Sequence, residues 1–176
     1  MPASIWLQLS GRQKRMLQRV IDRIAQAHGT VAFPPHLTVC GVPDLAVLDT
    51  AAAYVRESAL LPIAVAKAAV TGALITPFRA VFIEVENSRQ LRKFRERLRE
   101  IAGAPEFDPP HISLFYTLDH HTQQPRPDLD AAKLAAIARD CGPQIGDAGF
   151  TLGRPVVVRP DGEWANVRSW KVMRAL

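Results

Sequence analysis

The sequence predicts an α+β protein: a bilobal, duplicated fold in which two pseudo-symmetric antiparallel sheets, with their helices outside, face each other across a central cleft. Three observations predict it. The order strand–helix–strand–helix–strand runs twice along the chain, over about 5–70 and again over about 80–160. The second strand of each run carries the same spelling, Pro-Pro-His-apolar-hydroxyl-apolar, in FPPHLTVC (33–40) and FDPPHISL (107–114), with the histidines 75 residues apart. Segments 5–40 and 80–115 also align end to end without a net gap. A chain of 176 residues, 48% apolar and 22% charged, suits one domain of two interleaved lobes better than two independent domains.

The elements follow in order. IWLQL (5–9) alternates as a strand. In 11–28, Leu17, Val20, Ile21 and Ile24 form one apolar stripe among basic residues, an amphipathic helix closed by Gly29. Pro34 and Pro35 hold the chain extended as it approaches HLTVC, a short apolar strand. Segment 44–59 has helical composition with Asp44 as its N-cap. LPIAVAKAAV (61–70) reads as a strand and TGALITPF (71–78) as turn and breaker residues.

The order then restarts. AVFIEVE (80–86) is a strand, and Asn87 or Ser88 caps a helix whose stripe is Leu91, Phe94, Leu98 and Ile101, with charges over the rest and Gly103 at its end. Pro109 and Pro110 straighten the approach to HISLFY, the next strand. A polar loop, DHHTQQPRP, leads to a helix capped by Asp128 or Asp130 and ended by Gly142. The remaining segment, 149–176, reads as several short strands, with Asp161-Gly162 as a hairpin turn.

Composition narrows the class of function. The net charge of +5 and pI of about 9.7 favour anionic partners such as phosphates or nucleic acid, although on charge alone a well-solvated basic surface is the preferred reading. No apolar run nears the ~20 residues of a membrane span. MPASIWLQLS lacks the charged and apolar regions of a secretory signal, so a cytoplasmic, monomeric protein is expected. Cys40 and Cys141 are far apart and without metal-like spacing, which argues for reduced thiols rather than a disulfide framework or structural zinc.

In a strand, residues two apart share a face. His36 and Thr38 therefore point one way and Leu37 and Val39 the other, and His111 and Ser113 stand opposite Ile112 and Leu114 in the same manner. If the lobes face each other, two histidine–hydroxyl pairs line the cleft. That set suits in-line displacement at a phosphodiester, which needs a base for the attacking water and an acid for the leaving oxygen. Thr38 and Ser113 can donate to the non-bridging oxygens, and neither metal nor covalent intermediate is required. One His-x-Thr in an apolar strand is more often a packed core histidine than a catalyst. Its recurrence with the same prolines, parity and upstream unit argues for chemistry.

HLTV at 36–39 and HISL at 111–114 resemble the two-histidine phosphoesterase superfamily, whose members carry two H-apolar-[T/S]-apolar motifs on a duplicated bilobal fold. Within it the chain is most similar to the small cyclic phosphodiesterases, through the aromatic residue five positions after the second histidine and WKV at 170–172. The resemblance implies cofactor-free opening of a nucleoside 2′,3′-cyclic phosphate or of the 1″,2″-cyclic phosphate of ADP-ribose. It implies His36 and His111 as the catalytic pair, Thr38 and Ser113 on the phosphate, and Tyr116 lining the site. On a regular strand Tyr116 would face away from His111, so the strand must end or bulge first if the tyrosine is not core. Phe78 and Trp164 can stack on a base or simply pack, and Arg79 or Lys171 can contact phosphate. The related RNA-directed enzymes, called 2′-5′ RNA ligases, offer RNA 3′ ends as the alternative substrate, although the arginine-rich helices 12–23 and 89–99 are expected on the outer faces. A metal-binding protein using His120 and His121, and a nucleotide-binding module without catalysis, are the readings from other classes.

Overall fold

Seven buried residues in a row make β1 (Ala3–Leu9) an interior strand of the sheet. Ile5, Leu7 and Leu9 enter the main core, while Trp6 joins a small cluster with Val156 and Val158. The computed structural model describes residues 2–9, 11–105, 109–147 and 149–176; Phe107 and Asp108, which precede the second Pro-Pro-His, lie outside the described residues. Helix α1 (Gly11–His28) buries Leu17, Val20, Ile21 and Ile24, the stripe the spacing predicts. Strand β2 (His36–Val42) follows, then a 3-10 turn at Leu45–Val47 and α2 (Leu48–Glu57). Asp44 caps the 3-10 turn through the Ala46 N–H rather than the α-helix itself.

Strands β3 (Ile63–Val65) and β4 (Lys67–Thr76) close the first unit. The second unit comprises β5 (Arg79–Val85), α3 (Arg89–Ala102), β6 (His111–Phe115), α4 (Ala131–Ile145), β7 (Phe150–Pro160) and β8 (Trp170–Ala175). Ser88 caps α3 by accepting from the Leu91 N–H, and Gly103 ends it at φ +60°, the left-handed conformation that a glycine adopts without steric cost.

All strand pairs are antiparallel, in the order β3-β7-β1-β2-β6-β5-β4 with β8 on β7. A later strand of each unit crosses to the other: β4 edges β5, and β7 edges β1. The first helices cross likewise, α1 packing on β6 and α3 on β2. The two expected sheets are thereby joined into one curled, half-barrel sheet, and at the join β2 meets β6 through a single pair, Leu37 with Ile112.

Four local expectations are corrected. Residues 71–76 are strand, not turn, because Gly72 is the place where β4 passes against the backbone of α4 and the turn comes at 77–78. Helix α4 does not stop at Gly142: burial of Ile145 in register with Leu134, Ile137, Ala138 and Cys141 carries it through Gly142 and Pro143. The β7–β8 connection is not a two-residue turn, since residues 161–169 form a loop closed by the Asp161 N–H on the Ser169 carbonyl. Arg95 lies on the inward side of α3 and is buried, unlike the exposed charges around it.

Candidate active site

The site begins with a defect that occurs in both halves. Between the pairs Ile5–Cys40 and Trp6–Thr38, β1 advances one residue and β2 two. Between Val81–Phe115 and Phe82–Ser113, β5 advances one and β6 two. Each central strand thus carries one extra residue directly after its hydroxyl, a β-bulge at equivalent places. The extra residue reverses the alternation beyond it. Leu114 and Phe115 are both buried in the core, and Tyr116 returns to the face of His111 and Ser113. This resolves the parity conflict over Tyr116. In the first half, Val39 and Cys40 are both core, and Gly41 takes the place equivalent to Tyr116.

Pro-Pro before each histidine has a structural consequence. His36 Nδ1 lies 2.7 Å from the Pro34 carbonyl oxygen, and His111 Nδ1 lies 3.1 Å from that of Pro109. A carbonyl only accepts, so in both rings Nδ1 carries the proton and donates, which leaves Nε2 with its lone pair. The second proline of each pair restricts the first to extended backbone, which aims the carbonyl back at the ring two residues on. Ring orientation and tautomer are thus set by the same three residues in both halves.

The two histidines open onto one cavity of about 380 Å³. His36, Thr38, His111, Ser113, Tyr116, Phe78 and Trp164 all line it, and so does Arg79. Lys171 does not; it pairs with Asp161 at 2.6 Å in a separate groove by the β7–β8 loop. His120 and His121 stand edge to face on the loop after β6 and are not part of the lining. Among the described residues no three His, Cys, Asp or Glu side chains converge on one point. Ser113 Oγ donates to the Phe78 carbonyl at 2.9 Å, so turning it toward a phosphate means breaking that bond.

Sequence reasoning missed Trp6 and Trp170, which complete an aromatic wall. Trp6 stacks on His36 with centroids 3.5 Å apart. Trp170 touches Trp6, Phe78, Tyr116 and Trp164 at 5.5–6.0 Å, and its Nε1 donates to the Trp164 carbonyl. For Trp6 a signal existed: in IWLQL it alternates with Ile5 and Leu7 and shares a face with Gln8, a polar residue in an otherwise apolar strand. For Trp170 the signal was its place in WKV (170–172), a feature of the family resemblance; that it reaches this wall depends on how β8 returns along β7.

No family model and no curated protein matches the sequence. Solved structures do. A crystal structure of a phosphoesterase superposes with a TM-score of 0.58 at 12% identity, over 99% of this chain and 94% of that one. E. coli LigT complexed with ATP gives 0.58 at 12%, over 100% and 98%. LigT complexed with 3′-AMP gives 0.55 at 13%, over 100% and 98%. The fold is shared with these phosphoesterase and LigT structures.

Within this fold, burial lowers both paired histidines. Burial, ahead of every other influence, lowers His36 to about 4, with His111 adding to the fall and the Pro34 carbonyl opposing it. Burial likewise lowers His111 to about 4, opposed by the Pro109 carbonyl and reinforced by Arg79 and Arg95. Both rings are neutral at pH 7. Because the fold favours the neutral rings, their contribution to stability is full above the unfolded value near 6.5. It is lost as pH falls from there through about 4, where the unfolded chain binds more protons. For His36 alone the loss is about 3 kcal/mol. Urea unfolding at pH 7.5, 5.5 and 4.5 is therefore expected to show a marked decline for the wild type and a shallower one for His36→Gln. Parallel declines would contradict the burial effect.

Proposed function

We propose that the protein is a metal-independent phosphodiesterase that opens a cyclic phosphate on a nucleotide to a phosphomonoester. The ring is a nucleoside 2′,3′-cyclic phosphate or the 1″,2″-cyclic phosphate of ADP-ribose, and His36 and His111 are the acid–base pair. The observation that carries this reading is the matched pair of imidazoles. They come from two adjoining strands, each is held by a proline carbonyl at Nδ1, and both border one cavity.

In the reaction, Nε2 of one histidine takes a proton from water as the water oxygen bonds to phosphorus. The bond from phosphorus to one ribose oxygen breaks, and that oxygen receives the Nε2 proton of the other histidine. Two rings that are neutral at pH 7 need one added proton. The negative charge of a bound phosphodiester favours its uptake, because an anion beside an imidazole stabilises the imidazolium. In this reading Thr38, on the cavity lining, donates to a non-bridging oxygen, and Arg79, also on the lining, adds positive charge. Phe78, Trp164 and Trp170 offer apolar faces suited to a base. E. coli LigT, which shares the fold, has been solved with ATP and with 3′-AMP, which supports nucleotides as ligands of a cleft of this kind.

The test is a turnover panel in EDTA: cyclic mononucleotides, ADP-ribose 1″,2″-cyclic phosphate, and an RNA ending in a 2′,3′-cyclic phosphate. Hydrolysis of at least one of the first two, unaffected by EDTA, is the expected result. Activity on the RNA alone would move the substrate to RNA 3′ ends. Tight binding with no turnover of any substrate would favour a nucleotide-binding module, and a requirement for added zinc or manganese would remove the mechanism.

A further inference from the structure

The two halves are built alike around their histidines and differ in what lies against each ring. By register Trp6 stands opposite Thr38 as Phe82 stands opposite Ser113, and Gln8 opposite His36 as Glu84 opposite His111. Trp6 lies flat on His36, 3.5 Å between centroids and 10° between planes. Phe82 meets His111 edge-on, at 5.6 Å and 69°, and presents its face to the Arg79 guanidinium at 4.4 Å. The indole is held in place: Trp6 is 3% exposed, its Nε1 donates to Ser4 Oγ at 3.1 Å, and Ser4 Oγ donates to the Cys40 carbonyl at 3.2 Å.

An indole face attracts a cation, more strongly when water is excluded. Laid flat on an imidazole, it favours the imidazolium. The other groups facing His36 are the edge of Phe33 at 6.4 Å, neutral Gln8, the Pro34 carbonyl and His111. His111 has no indole face. It has the Phe82 edge, the Pro109 carbonyl, and two guanidiniums, Arg79 and Arg95, that oppose a further positive charge. Glu84, across the strand, accepts from Thr71 Oγ1 at 2.6 Å and lies in the field of Arg79.

We propose that Trp6 is a positioning residue that makes the two histidines inequivalent, so that His36 bears the proton and serves as general acid while His111 serves as base. This rests on the acid–base reading above. The proton taken up with the anionic substrate sits on His36 Nε2. His111 Nε2 removes a proton from water as the new P–O bond forms, and His36 Nε2 passes its own to the leaving ribose oxygen. The cycle leaves His111 charged and His36 neutral, and proton exchange with solvent restores the pair.

The test is the pH dependence of kcat on whichever cyclic phosphate the wild type hydrolyses. Loss of the protonated acid produces the alkaline limb, and Trp6→Leu is expected to move that limb down by about one pH unit. The variant then loses roughly tenfold in kcat at pH 8 and little at pH 6, with KM within about threefold. Trp6→Phe keeps an aromatic face and is expected to shift the limb in the same direction by less. Phe82→Leu is expected to leave it in place. An unmoved limb in both Trp6 variants, or an equal shift in Phe82→Leu, would overturn the proposal. A second measurement is independent of turnover and of variant folding: NMR titration of the two imidazoles in wild-type protein saturated with inorganic phosphate. His36 is expected to titrate above His111, and the reverse order would overturn the assignment. Absence of all cyclic-phosphate hydrolysis would count against the catalytic reading instead, and the NMR order would still judge the effect of Trp6.

Discussion

Replacing either His36 or His111 by alanine is expected to lower kcat/KM on the best cyclic phosphate by ~10²–10⁴-fold, the usual worth of a positioned acid or base. Both losses should be large, because water attack and departure of the ribose oxygen each need a proton moved. The double variant should lose less than the product of the single losses, since the two groups act in one transition state. Neither variant should disrupt the sheet. His36 and His111 begin their strands, and the single β2–β6 pair is made by Leu37 and Ile112, whose side chains face the core. Steady-state kinetics with circular dichroism as the folding control would measure this. Turnover within threefold of wild type in either variant would eliminate the two-histidine mechanism.

Gly72→Ala is expected to cost about 3 kcal/mol or more of stability, enough to reduce the yield of folded protein. A Cβ at Gly72 would sit 2.1 Å from the Leu134 carbonyl oxygen, 2.5 Å from its carbon and 2.8 Å from the Ala135 nitrogen. These are backbone atoms in the first turns of α4 and cannot rotate aside, so β4 and α4 would have to separate and loosen the packing of Leu134 and Ile137. Gly142→Ala is the control. It lies inside α4 with nothing beyond its chain neighbours within 4 Å of the added carbon, so the helix-propensity gain of about 0.5–1 kcal/mol is opposed only by contact with the ring of the following Pro143, and stability is expected to stay within about 1 kcal/mol of wild type. The urea midpoint of Gly72→Ala should therefore fall well below that of Gly142→Ala, which should stay near wild type. A Gly72→Ala midpoint equal to wild type would mean that β4 and α4 are not in contact as described.

Much of the fold was legible because its signals are periodic. The stripes of α1 and α3, the caps at Ser88 and Gly103, and the strands at 36 and 111 follow from side chains at fixed spacings. Errors came where burial overrode local preference. Helix α4 passes Gly142 and Pro143 because Ile145 gains more from the core than the chain loses at the two breakers. TGALITPF resembles a turn through Gly72, yet that glycine answers to a neighbouring helix 62 positions away in sequence at Leu134.

The candidate site divides in the same way. Pro-Pro-His-x-hydroxyl, written twice, was sufficient by itself to determine that two imidazoles and two hydroxyls share the non-core faces of equivalent strands, because alternation along a strand is a local property. What lies against those groups was decided only by tertiary structure. The bulges after Thr38 and Ser113 are visible only in cross-strand hydrogen bonding, and they bring Tyr116 back to the site. Trp6 reaches His36 from a strand 30 residues earlier, Arg79 is selected over Lys171 by the path of β5, and Arg95 turns inward beneath them. Periodicity specifies which way a side chain points. Which distant side chain it meets depends on register and on the closure of the sheet, and those are set by the whole chain packing at once.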